Sequence, residues 1–158
     1  MRIVLNINPP KNTGQSGKRL GCPRGRAMMF ETKESKDTKA MFYALLYNKK
    51  PKEPFSCPLI LKLYYFFPYN STVKNSLKKK KAIIAKTTKP DYDNIPKQIQ
   101  DVMTKLGFWT DDAIIFNGGC QKYFAEKGAI IVEITPTEAD YDYSSVFNEE
   151  FFTKEDLQ

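Results

Sequence analysis

Between Pro58 and Pro68 the chain reads LILKLYYFF, a run of aliphatic and aromatic side chains closed at both ends by proline. Such a run reads as a buried strand, and the rest of the chain has to cover it. A second segment is as well marked. From Asn94 to Leu106, Ile95, Ile99, Val102, Met103 and Leu106 recur on one helical face, while Lys97, Asp101 and Lys105 fall on the other. Asp93 or Asn94 can cap this helix, Pro96 sits in its first turn where a missing N–H costs nothing, and Gly107 ends it.

Weaker patterns complete the outline. Arg2 to Ile7 reads as a strand ending at Pro9-Pro10. Residues 11–28 carry four glycines and five basic residues without apolar periodicity and read as a flexible basic loop. Ala40, Tyr43, Ala44 and Tyr47 mark a helix from Lys33 to about residue 48. Residues 69–89 read as an exposed loop or hairpin, and 113–124 and 128–135 as two strands paired antiparallel through a turn near Glu126. The order β, α, β, basic loop, α, β, β implies an α+β fold, a small mixed sheet packed with helices. At 158 residues this is one domain.

Composition limits the chemistry. There is no histidine, and Cys22, Cys57 and Cys120 are widely spaced without a CxxC pair. That argues against disulfide scaffolds, zinc sites and imidazole-dependent nucleophiles. The N-terminal apolar run is too short for a signal peptide or a membrane span, which places the protein in a cytosol without membrane contact. Net charge is +7, and it is uneven. Residues 136–158 hold seven acidic side chains against Lys154 alone, leaving a body of +13 with the profile of a polyanion binder.

Within this basic body, aspartates flank the 94–106 helix. Asp91 and Asp93 precede it at i, i+2 spacing, which in extended backbone points both carboxylates to one side. Asp111 and Asp112 follow it after GFWT. Converging carboxylates repel one another unless a cation joins them, and all-oxygen ligands select Mg²⁺ or Mn²⁺. Such an ion can activate water against a phosphodiester. Plainer readings stand beside this one: capping and turn chemistry for Asp91 and Asp93, a solvated turn for Asp111 and Asp112. Lys97, four residues after Asp93, either stabilises developing phosphoryl charge or makes a surface ion pair. Asp101 reads as a partner of Lys97 and Lys105, and Phe108 and Trp109 as core lids rather than base-stacking groups. Lys78, Lys79, Lys80 and Lys81, then Lys86 and Lys89, lead into the motif as a phosphate-contacting arm or a solvated loop. Lys18, Arg19, Arg24 and Arg26 of the basic loop are further phosphate candidates.

The stretch KPDYDNIPKQIQDVMTKLGFWTDDAII resembles the RusA family of crossover junction endodeoxyribonucleases, Holliday junction resolvases carried mainly by phages and prophages. Weaker similarity in FETKESKD and QKYFAEKGAIIVEI extends the resemblance over most of residues 30–135. It implies Asp91, Asp93 and Asp112 as catalytic carboxylates binding Mg²⁺, Lys97 as the catalytic lysine, Asp111 as an acidic position of less defined role, and Lys122 as a basic position of phage members and a DNA contact. It also implies a RusA-like homodimer nicking opposed strands of a four-way junction, in the cytoplasm of a bacterial host. Residues 1–135 then form the nuclease domain. The tail 136–158, with Tyr141, Tyr143, Phe147, Phe151 and Phe152, matches nothing in the family and could shield the basic surface, dock on the dimer or bind a protein partner. The alternatives are a non-cleaving nucleic-acid binder on the same scaffold and a metal-dependent hydrolase of RNA or nucleotides.

Overall fold

The computed structural model describes residues 1–11, 18–21, 28–140 and 142. Its centre is β4, Leu59–Pro68, whose Leu59, Leu61, Leu63, Tyr65 and Phe67 alternate onto one buried face. β1 (Arg2–Leu5), β5 (Ile84–Ala85), β6 (Ile115–Ala125) and β7 (Ala129–Pro136) complete a five-stranded sheet in the order β1-β7-β4-β6-β5. β4 runs parallel to β6 and antiparallel to β7, so the sheet is mixed and the fold is α+β.

This order corrects one expectation. β6 and β7 follow each other closely but are not hydrogen-bonded, because β4 lies between them. The most apolar strand takes the central place, where both its backbone edges are paired and its side chains are most deeply covered. The connection Glu126–Gly128 therefore crosses the end of β4, about 10 Å, within reach of three residues. There it presses on Asn8: a Cβ on Gly128 would lie 2.8 Å from the Asn8 Cα, so glycine is required for the approach.

One face of the sheet is covered by α1 (Lys33–Tyr47) and α3 (Ile95–Leu106), which pack on each other. α3 buries Ile95, Ile99, Val102, Met103 and Leu106, the stripe read from sequence, and ends at Gly107 with φ +75°. α1 exists where its periodicity placed it, with Thr32 accepting from the Ser35 N–H at its start. Its buried face differs. Phe42 and Leu46 face the core, whereas Tyr43 and Tyr47 are about half exposed and lie against each other at 5.9 Å. Phe42 and Leu46 make the same i, i+4 pairing and are fully apolar, so burying them strands no hydroxyl. The α1–α3 contact carries one buried polar chain: Gln98 donates to Ser35, which donates to Glu31.

Two loop expectations are also corrected. The described parts of 11–28 include β2 (Lys18–Gly21), paired antiparallel with β3 (Met28–Glu31). Pairing satisfies backbone groups whatever the intrinsic preference of the side chains. Residues 69–89 contain a short helix, α2 (Asn75–Lys79), and β5. No helix among the described residues is long and apolar enough to cross a membrane.

Candidate active site

The segment before α3 is held by two lysines. Lys86 continues the pairing of β5 with β6, its N–H donating to the Lys122 carbonyl at 2.9 Å. Its side chain turns inward and donates to the Thr88 hydroxyl and to the carbonyls of Thr88 and Lys89. From β6, Lys122 donates to the carbonyls of Pro90 at 2.6 Å and Thr88 at 3.1 Å. Three consecutive carbonyls are thus fixed by two ammonium groups. The Lys86 ammonium also lies 5.0 and 4.8 Å from the ring centres of Phe67 and Phe124, which are cation–π distances. Burial, and then the neighbouring Lys122 charge, hold its pKa below the usual lysine value.

Asp91 is the next residue. Its carbonyl accepts from the N–H groups of Asn94 and Ile95, both at 3.3 Å, which turns the chain into α3. Asp91, Tyr92 and Asp93 are all exposed. Asn94 occupies the cap position without capping: its side chain makes no bond to the helix, and its amide nitrogen donates to an Asp93 oxygen at 3.2 Å. The Asn94 amide oxygen is buried and accepts no hydrogen bond from any described residue. Lys97 is exposed and makes no ion pair among the described residues, so the Asp93–Lys97 surface pair is not formed.

At the other end of α3, Phe108 and Trp109 are fully buried, as lids. The Trp109 indole donates to Thr104 at 2.9 Å, and the Phe108 carbonyl and Thr110 N–H pair with Phe55. This fixes the exit toward Asp111, whose side chain accepts from the Ala113 N–H at 2.8 Å and caps a short 3₁₀ turn, Asp112–Ile114. Asp112 is exposed. About 18 Å of helix stands between the two aspartate pairs. Among the described residues no three carboxylate, cysteine or histidine groups come together as a metal-holding set. One chain therefore presents each pair separately. The donor chemistry, carboxylates with an orphaned amide oxygen beside Asp93, fits a hard divalent cation; a single chain does not complete its coordination.

The other candidates divide. Asp101 pairs with Lys39 at 3.6 Å rather than with Lys97 or Lys105, because α1 lies against that face of α3. Lys39 also bonds Glu31 at 2.8 Å; this contact, with Ser35, holds the Glu31 carboxyl below its usual range. Lys86 is buried and engaged, placed to hold the loop rather than to face solvent. Lys78, half-buried, and Lys79, Lys80 and Lys81, exposed, lie on α2 and just after it, with Lys81 paired to Glu126 at 3.2 Å, and Lys89 is exposed in the clamped loop before α3. Lys18 and Arg19 lie on β2; their side chains, and Arg24, Arg26 and residues 143–158 altogether, are outside the described residues. Sequence reasoning missed the clamping role of Lys86 and Lys122 and the orphaned Asn94 oxygen. The Lys122 half of the clamp joins residues 32 and 34 positions apart and leaves no local signal.

The family model for endodeoxyribonuclease RusA matches residues 9–135. A protein of Lactococcus phage r1t named crossover junction endodeoxyribonuclease rusA is 41% identical over 93 residues, 58% of this chain and 66% of that protein, a little under two thirds of its length. The uncharacterized protein YqaN of Bacillus subtilis (strain 168) is 27% identical over 128 residues, 75% of this chain and 89% of the relative. Because the family match runs from Pro9 to Thr135, it takes in both aspartate pairs, the clamp and every element from β2 into β7, and the chain belongs to the RusA endodeoxyribonuclease family.

Proposed function

We propose that this chain is a metal-dependent endonuclease that resolves Holliday junctions and related branched DNA by paired nicks, working as a homodimer with Mg²⁺, or Mn²⁺ in its place, in phage recombination and repair within the bacterial cytoplasm. The observation that carries the reading is the exposed pair Asp91 and Asp93, set at the start of α3 by a lysine-clamped loop on a strongly basic body. A phage relative named crossover junction endodeoxyribonuclease supports the substrate.

The split of the carboxylates between the ends of α3 supports the dimer. In a two-fold assembly, if one residue meets a second, the second meets the first in return. Antiparallel placement of two such helices would set Asp91 and Asp93 of one protomer against the partner's Asp112, completing two equivalent sites from four incomplete ends. Asp91, Asp93 and Asp112 would hold the ion, with Asp111 fixing the turn that presents Asp112. When bound, the ion supplies a Lewis acid for the phosphodiester and a more acidic water. Lys97, one helical turn from Asp93, would neutralise charge on the leaving oxygen. Surface lysines of 78–81 and Lys89 would hold the DNA backbone. We assign residues 1–135 to the nuclease domain and 136–158 to an appended acidic tail that covers basic surface or meets a protein partner.

The deciding experiment compares a synthetic four-way junction with linear duplex, in Mg²⁺ and in chelator. Paired symmetric nicks in the junction alone, dependent on the cation, are expected. Binding without cutting, or equal cutting of duplex and RNA, would refute the reading.

A further inference from the structure

Behind Pro90, one residue from Asp91, the end of the sheet opens into a cavity of about 550 Å³. It is lined by the partly exposed ring of Tyr69, by the buried rings of Phe67 and Phe124, and by Asn8, Asn70 and Lys11. The volume is that of a small-ligand pocket rather than a packing defect. Lys86 sets a charge against the same two phenylalanine rings. The two asparagine amide nitrogens make no hydrogen bond among the described residues, while the Asn70 oxygen is occupied by Thr72. The cavity therefore offers the partly exposed ring of Tyr69, free amide donors and cationic surroundings, in contact with the loop that carries the proposed metal ligands.

Resting on the junction-nuclease reading, we propose that this cavity receives one unstacked nucleobase of the substrate DNA, from a nucleotide at the branch point adjoining the cut phosphate. A flat aromatic heterocycle attached to a phosphodiester matches both halves of the site: its face stacks on the Tyr69 ring and its edge accepts from the asparagine amides. A base inside linear duplex cannot enter without losing its pairing and both stacking neighbours. A base at a branch has already lost part of that stabilisation, so extruding it costs least there. The pocket thus acts as a reader of branched structure beside the site of cutting, and its asparagine edge as a source of base preference.

The test uses the full chain and four-way junctions carrying a single 5-iodouracil at successive positions around the branch. Irradiation cross-links this base to aromatic side chains against which it is stacked, and peptide mapping finds the attachment. Cross-links from one branch-flanking position to Tyr69, with none from positions within the arms, are expected. Asn8→Ala and Asn70→Ala should narrow the spread of cutting rates among the four bases at that position by at least about fivefold. Cross-links that fall outside the cavity, or none at all, in a protein that still cuts the junction overturn the pocket and leave the nuclease reading standing. A spread unchanged in both variants overturns the asparagine edge. Failure to cut the junction at all defeats the nuclease reading, and the pocket proposal with it.

Discussion

The ammonium of Lys122 donates to the carbonyl of Pro90 at 2.6 Å, tying β6 to the residue before the first aspartate. The charge of Lys122 is spent on backbone carbonyls, which makes it a positioning group. Lys122→Met keeps the stem and removes both hydrogen bonds. Cleavage of a junction under single-turnover conditions is expected to slow about 10–100-fold, since small misplacements of reacting groups are costly. Junction binding in chelator should change little. A parallel loss of binding would mark Lys122 as a phosphate contact instead.

Asp93→Asn is expected to abolish cleavage and preserve binding, because it removes a ligand charge without altering the basic surface. Lys97→Ala should cut about 100–1,000-fold more slowly. Lys97 is exposed and makes no ion pair among the described residues, so unfolding stability should stay within about 0.5 kcal/mol of wild type. A large drop in melting temperature with normal cutting would reverse the assignment.

Replacing Lys78, Lys79, Lys80 and Lys81 by Gln should weaken junction and duplex binding alike. The slope of log K against log salt should fall by about 0.9 for each lysine that touches a phosphate. Lys81 already faces Glu126, so its share should be the smallest. Titrations at several salt concentrations measure this, and an unchanged slope would show a merely solvated run.

Trp109 is 1% exposed and bonded to Thr104, so Trp109→Ala is expected to cost about 3–5 kcal/mol in denaturant unfolding. Full stability with lost DNA binding would restore the base-stacking reading.

Burial raises the Cys120 thiol to about 11, against a small opposing effect of Lys122. The thiolate is the reactive form. At pH 8 iodoacetamide should therefore leave Cys120 unmodified in the folded protein and label it after denaturation, while half-buried Cys57 reacts sooner. Mass spectrometry of the labelled peptides checks the order, and rapid native labelling of Cys120 would contradict its burial.

The sequence by itself determined what local physics controls. The apolar stripe of α3, its proline start and glycine stop, and the unbroken run of β4 all stand in the structure as read, because each is set by side chains within a turn or two. The DxDN…K…GFWxDD spacing was legible for the same reason, as a pattern along one helix and its two flanks. Only tertiary structure decided the rest. β6 and β7 read as a hairpin, yet β4 enters between them, since the central place goes to the strand that gains most from being paired on both edges. Lys86 and Lys122 read as DNA contacts, yet the fold turns both onto the backbone of residues 88–90, whose carbonyls they bond. The stripe of α1 shifted to Phe42 and Leu46 because α3 and the sheet, not the helix alone, chose the face to bury. The length of α3 already separates the two aspartate pairs in the sequence, and only the tertiary structure decided that the chain after it brings no three carboxylates together among the described residues.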